Sequence, residues 1–148
     1  MTDVLADIVE TIEIDAPVQK VWRAMTSEVT VPNWLGCMRY RAEVGAIFYM
    51  QQDQQKSAAD DISGATHCEI LALDEPKLFR FSWFVPGFPK TFVQFELAAL
   101  TPSRTRVSFT HEGWGQFPPD AVRQIWEALS GGWKSFVLPN LKREVERG

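Results

Sequence analysis

The sequence predicts an α+β fold in which a β-sheet wraps a long C-terminal helix around an apolar interior. Three observations predict it. Residues 8–14 alternate like a strand and lead into a short helical stripe. Residues 38–111 break into short runs rich in aromatic and β-branched residues, separated by turns, as in an antiparallel meander. From Asp120 onward an apolar stripe recurs at helical spacing almost to the end of the chain.

In the first segment Ile8, Ile12 and Ile14 share one strand face, and Val9, Thr11 and Glu13 the other. Pro17 ends that strand and suits the first turn of a helix carrying Val18, Val21, Trp22 and Met25 on one side. A second short helix is expected over 28–34, with Pro32 near its start. Six further strands are expected at 37–42, 46–52, 65–74, 78–85, 91–100 and 104–112, with the polar stretch 51–64 as a loop. The final stripe, Val122, Ile125, Trp126, Leu129, Trp133, Phe136, Val137 and Leu141, gives a helix of roughly 25 residues. Gly131, Gly132 and Pro139 lie inside it. They imply either one bent helix, with a close approach to sheet or ligand at the glycines, or a helix interrupted into two.

With 148 residues, 45% of them hydrophobic and 23% charged, the chain 1–148 reads as a single globular domain. A net charge of -4 offers no basic excess for phosphates, so nucleic acid is not an expected partner. No apolar stretch reaches the roughly 20 residues that span a bilayer. Cys37 and Cys68 have no ligand spacing, and no secretory leader is visible, which together predict a reduced, cytoplasmic protein.

The order strand, two short helices, six strands and long helix resembles the START-like superfamily, also called SRPBCC or Bet v 1-like. Within it the chain is most similar to the branch named after the activator of Hsp90 ATPase. The matching residues are Ile12-x-Ile14-x-Ala16-Pro17-x-x-x-Val21-Trp22-x-Ala24-x-Thr26, then Trp34-Leu35 and Glu43-Val44-Gly45. The segments 78–83 and 105–113, and Gly132-Trp133 with Leu138 and Leu141, carry the match to the end. One departure is the first hairpin, where the family has two adjacent glycines after a basic residue and Val44-Gly45-Ala46 keeps one. The resemblance implies a helix-grip fold, a seven-stranded curved antiparallel sheet with two short helices and a long C-terminal helix packed across it. It also implies an apolar ligand held between sheet and helix. Its other implications are regulation of an Hsp90-type chaperone ATPase and a cyclase or dehydratase using the same cavity.

The residues themselves locate a candidate cavity. Strand alternation turns Phe48, Met50, Phe81, Trp83, Phe95, Phe109 and His111 inward, opposite Ile125 or Trp126, Leu129, Trp133 and Phe136 of the helix. Such stripes are also what a filled core looks like. In the helix-grip arrangement that the resemblance implies, Trp34, Phe84, Val85, Phe88, Trp114 and Phe117 are expected at one end, as an apolar mouth or as its plug. Polar candidates are few. His111, with Glu10 on the strand that the helix-grip sheet order implied by the resemblance places beside it, is the candidate for proton transfer or ligand anchoring, and Tyr49 is a weaker one. His67 and Cys68 are adjacent and so point to opposite faces, which argues against a metal site. No cofactor motif is present, and nucleophilic catalysis has no visible basis. The expected activity is therefore binding of a small hydrophobic molecule, with catalysis as the less favoured reading. A chaperone partner and a homodimer are both left open.

Overall fold

The structure, a computed structural model, describes residues 5–147. It is an α+β fold in which six antiparallel strands form one sheet in the order β1-β6-β5-β4-β3-β2. The strands are β1 (Ile8–Ile14), β2 (Ile47–Met50), β3 (Thr66–Asp74), β4 (Leu78–Trp83), β5 (Thr91–Thr101) and β6 (Arg104–Glu112). Two short helices, α1 (Val18–Thr26) and α2 (Val31–Trp34), follow β1, and Pro32 occupies the first turn of α2.

Among the described residues the sheet has six strands and not the expected seven. Residues 37–42 alternate like a strand, with Met38 and Tyr40 buried and Arg39 and Arg41 exposed. Pairing with β2 nevertheless stops after the single bridge between Met38 and Tyr49. The reason is local: Arg39 adopts φ 59°, the left-handed region, which turns the chain off the ladder. Its guanidinium then bonds Asp60 at 3.1 Å. The lone glycine of the first turn suffices, because Gly45 itself takes the left-handed φ of 90° that the turn requires.

A helix also forms in the expected loop. Asp53 caps α3 (Gln54–Ala58) by accepting from the backbone N–H groups of Gln55 and Lys56, which converts a polar run into one helical turn.

The sheet's inner face is aromatic by register. Phe79 lies opposite Phe95, which lies opposite Phe109, and the next row is Phe81, Val93 and His111. All six are buried. Fully burying one such ring stabilises by about 1.5–3 kcal/mol, so these rows dominate the core.

The C-terminal helix is continuous but changes register. It runs as α4 (Pro119–Gly132), a π-helical turn (Trp133–Val137) and α5 (Leu138–Arg147). The N–H of Leu138 bonds the carbonyl of Trp133, five residues back. The buried positions follow that step: Trp133, then Leu138, Leu141 and Val145. A strict α-helix would have placed Phe136 beneath Trp133; the extra residue of the π turn rotates it outward, leaving it 67% exposed. Gly131 and Gly132 make no close approach to the sheet, since a methyl group at either would meet nothing within 4 Å.

The two halves of the helix also differ in depth. In α5, Leu138, Leu141 and Val145 are buried, whereas Val122 is the one fully buried residue of α4. Trp126 and Leu129 of α4 are partly buried against the core. The sheet therefore grips α5 and the π turn, while α4 stands off it.

Candidate functional site

The rings expected to line an interior cavity pack against one another. Phe109 and Trp133 have centroids 4.6 Å apart, Phe95 and Phe109 5.2 Å, and Phe48 and Phe81 5.1 Å, in tilted or edge-on pairs. Trp34, placed at the mouth by the sequence, is buried edge-on against Phe95 at 5.6 Å and donates its indole N–H to the Ala24 carbonyl. Met50 is partly buried and borders a surface hollow beside α3. Trp126 donates to the Ala6 carbonyl.

His111 is fully buried, with both ring nitrogens engaged. Trp133 Nε1–H donates to His111 Nδ1 at 3.2 Å, and His111 Nε2 lies 2.7 Å from Thr91 Oγ1. Thr91 in turn donates to the Trp83 carbonyl at 2.7 Å. An indole nitrogen only donates and a carbonyl only accepts, so the chain has a single direction. His111 must be the neutral Nε2–H tautomer, giving its proton to Thr91 and accepting from Trp133. Burial pushes its pKa down from 6.5 to about 3, in keeping with that tautomer. No lone pair remains for a substrate proton.

The expected carboxylate is not its partner. Glu10 lies opposite Phe109 on the edge strand β1, and Ile8 takes the position opposite His111. Tyr49 faces His67 with centroids 4.9 Å apart and the Arg39 guanidinium at 5.6 Å, on the far side of the sheet from β1. Cys68 is buried and His67 half-buried in alternate positions of β3. Among the described residues, no three His, Cys, Asp or Glu side chains converge as a metal site.

What the structure does provide is an apolar cleft of about 150 Å³ at the end of the sheet, beneath α4. Three segments build it. The β4–β5 connection contributes Phe84, Val85, Phe88 and Pro89, the turn after β6 contributes Trp114 and Phe117, and α4 contributes Ala121, Val122 and Ile125. Trp83 and Thr91, at the facing ends of β4 and β5, complete the lining. At its rim Phe88 and Ile125 are 58% and 48% exposed. None of the lining residues is titratable.

Sequence reasoning named Phe84, Val85, Phe88, Trp114 and Phe117 for this end, and of the expected interior set Trp83 and Ile125, the alternative to Trp126, reach the cleft. Thr91 and Ala121 were missed, because a threonine in a strand and an alanine in a helix carry no signal of their own. A larger hollow of about 770 Å³ lies between α2 and α5, but Asn33, Asn140, Arg143, Glu144, Glu146 and Arg147 line it, so it offers an apolar molecule nothing.

A curved antiparallel sheet gripping a C-terminal helix, with an apolar cleft where sheet and helix diverge, defines a helix-grip domain of the START-like, or SRPBCC, class. The chain belongs to the activator of Hsp90 ATPase homolog 1-like protein family, whose model matches residues 15–146. Among solved structures it is similar to protein MLL2253 from Mesorhizobium loti, at 25% identity over 96% of this chain and 98% of that one, with a TM-score of 0.77. It also superposes on the Aha1 dimer from Colwellia psychrerythraea (20% identity, 96% and 97% covered, TM-score 0.70). A third similar structure is PFC0360w, an HSP90 activator from Plasmodium falciparum (17% identity, 92% and 93% covered, TM-score 0.71). At those two identities the likeness is one of fold. No curated protein matches the sequence. No helix among the described residues is long and apolar enough to cross a membrane.

Proposed function

We propose that this chain, as a single domain, binds a small hydrophobic molecule, and that the site is the cleft under α4 and not the filled space beneath Phe95 and Phe109. The observation that carries the reading is the cleft's lining, apolar apart from Thr91 and rimmed by exposed Phe88 and Ile125. Exposed apolar groups around a concave apolar surface are what a ligand entry requires and what a fully packed core avoids. An apolar cavity of this volume holds a molecule about the size of benzene, so the buried part of the ligand is one ring or a comparable alkyl group. The two cysteines are free, which fits a reducing compartment such as the cytoplasm.

The test is thermal unfolding of the purified protein against small aromatic and aliphatic molecules, with Ala121→Trp as the blocked control. A molecule that binds only the folded state adds about 2.7 kcal/mol at a hundredfold excess over its Kd. A dose-dependent rise for the natural protein and none for the variant is expected. Equal melting with every compound would sink the reading.

Regulation of an Hsp90-type chaperone ATPase is the second reading, favoured by the family match over residues 15–146. Stimulation of a chaperone ATPase by the purified protein, retained in Ala121→Trp, would replace the binding reading with this one. A cyclase or dehydratase would need titratable groups converging on the ligand. The cleft lining has none, and the His111 nitrogens face Thr91 and Trp133.

A further inference from the structure

Five tryptophans have a settled indole environment. The N–H groups of Trp34, Trp126 and Trp133 each donate to an acceptor, at 3.1, 2.9 and 3.2 Å. Those of Trp83 and Trp114 are buried and have none, and among the described residues they are the two buried side-chain polar groups without a partner. The two residues are 7% and 1% exposed. Both are walls of the apolar cleft, with ring centroids 6.1 Å apart.

An orphaned buried donor destabilises the protein that carries it, and two beside one cleft call for a common explanation. No neighbouring side chain supplies the acceptor. Thr91 Oγ1, on the cleft lining, donates to the Trp83 carbonyl, accepts from His111 and bonds neither indole, and the His111 ring has no free lone pair. An acceptor from outside the chain would satisfy both, and the cleft that both residues line is where it would enter.

We infer that the ligand of this cleft is a one-ring aromatic or similarly sized apolar molecule bearing an uncharged acceptor oxygen, a carbonyl above all, bonded to Trp83 and Trp114. This rests on the proposed binding function and specifies its ligand class. The oxygen is uncharged because the site offers it two neutral donors and apolar walls. A carboxylate there would lose its hydration, and the cation beside the cleft, Lys90, sits over the Phe84 ring at 5.4 Å and is not part of the lining. Two indole donors also give specificity: a ligand lacking the oxygen leaves both groups unpaired, and a site built that way discriminates against the analogue.

The experiment compares acetophenone, ethylbenzene and benzoate, near-equal in size, by calorimetric titration and by following the indole N–H resonances in ¹H–¹⁵N spectra. Trp83→Phe and Trp114→Phe assign those resonances and keep an aromatic wall. Acetophenone is expected to bind about tenfold more tightly than ethylbenzene, and benzoate more weakly than acetophenone. Two indole signals should move downfield with acetophenone only, and each variant should narrow the ratio of acetophenone to ethylbenzene affinity. Equal affinity for acetophenone and ethylbenzene, with still indole signals, overturns the acceptor and leaves hydrophobic binding standing. Tighter binding of benzoate overturns the uncharged class. Binding of none of the three removes the proposed function together with this inference. The unmodified protein alone decides between these outcomes should either variant fail to fold.

Discussion

The indole of Trp133 in the π turn donates to Nδ1 of His111 at the end of β6, a 3.2 Å bond that ties the C-terminal helix to the sheet through a buried neutral imidazole. Its pH consequence has a definite sign. Burial lowers the folded-state pKa from 6.5 to about 3, so below pH 6.5 the unfolded chain binds a proton that the folded chain refuses. Stability is constant above that value and falls as pH drops from 6.5 toward 3, by at most about 1.4 kcal/mol per unit. Between about pH 7 and about pH 5 the loss from this residue is about 2 kcal/mol. Urea unfolding of the natural protein and of His111→Gln at both pH values measures it: the variant's decline should be smaller by that amount. Parallel declines would assign the acid sensitivity elsewhere.

Trp133→Phe keeps the ring that packs on Phe109 at 4.6 Å and removes the donor. His111 Nδ1 is then a buried acceptor without a partner, at a cost of about 1–3 kcal/mol. Thr91→Val breaks the same chain at its other end, stranding His111 Nε2–H and the Trp83 carbonyl. Because the two changes strand groups on one imidazole, their effects in a double-mutant cycle should not add, with a coupling of about 0.5–3 kcal/mol. Strict additivity would show that the three side chains do not act as a chain.

Much of this fold was legible because alternation and helical spacing report burial directly. Phe79, Phe81, Phe95, Phe109 and His111 point inward as their spacing requires. The failures occur where a single backbone choice overrides the pattern. Arg39 in the left-handed region ends a strand that Met38 and Tyr40 otherwise describe, and one added residue in the π turn takes Phe136 off the buried stripe. The site was half legible. Loop aromatics such as Phe88 and Trp114 stand out in a sequence, but whether rings leave a gap is decided by packing between elements far apart in the chain, which alternation does not record.

Phe136 and Phe109 give the corresponding test, since one reading of the sequence puts both inside. Phe136→Ser should change stability by no more than about 0.5 kcal/mol, the range of an exposed substitution. Phe109→Ala, which opens a hole beneath Trp133 and Phe95, should cost about 3–5 kcal/mol. Chemical denaturation of the two variants compares them. A Phe136 loss approaching that of Phe109 would mean that the helix continues without the π turn.

Glycine substitutions separate helix from turn by opposite signs. Gly131 lies in α4 and Gly132 at its end, where the backbone is helical at φ -65° and ψ -45°, and an added methyl group meets nothing within 4 Å at either. Alanine removes unfolded-state freedom without any clash, so Gly131→Ala should stabilise by about 0.4–1 kcal/mol. Gly113, before the turn that carries Trp114, has φ 100° and would place its Cβ 3.3 Å from the Thr91 Cα. Gly113→Ala should therefore destabilise by about 1–3 kcal/mol. It should also weaken binding in the cleft, because relieving the contact pushes Trp114 and Thr91, two of its walls, apart. Ligand titration of this variant beside its melting curve distinguishes a displaced wall from a uniformly weakened protein: in the second case affinity at a temperature well below unfolding would be unchanged.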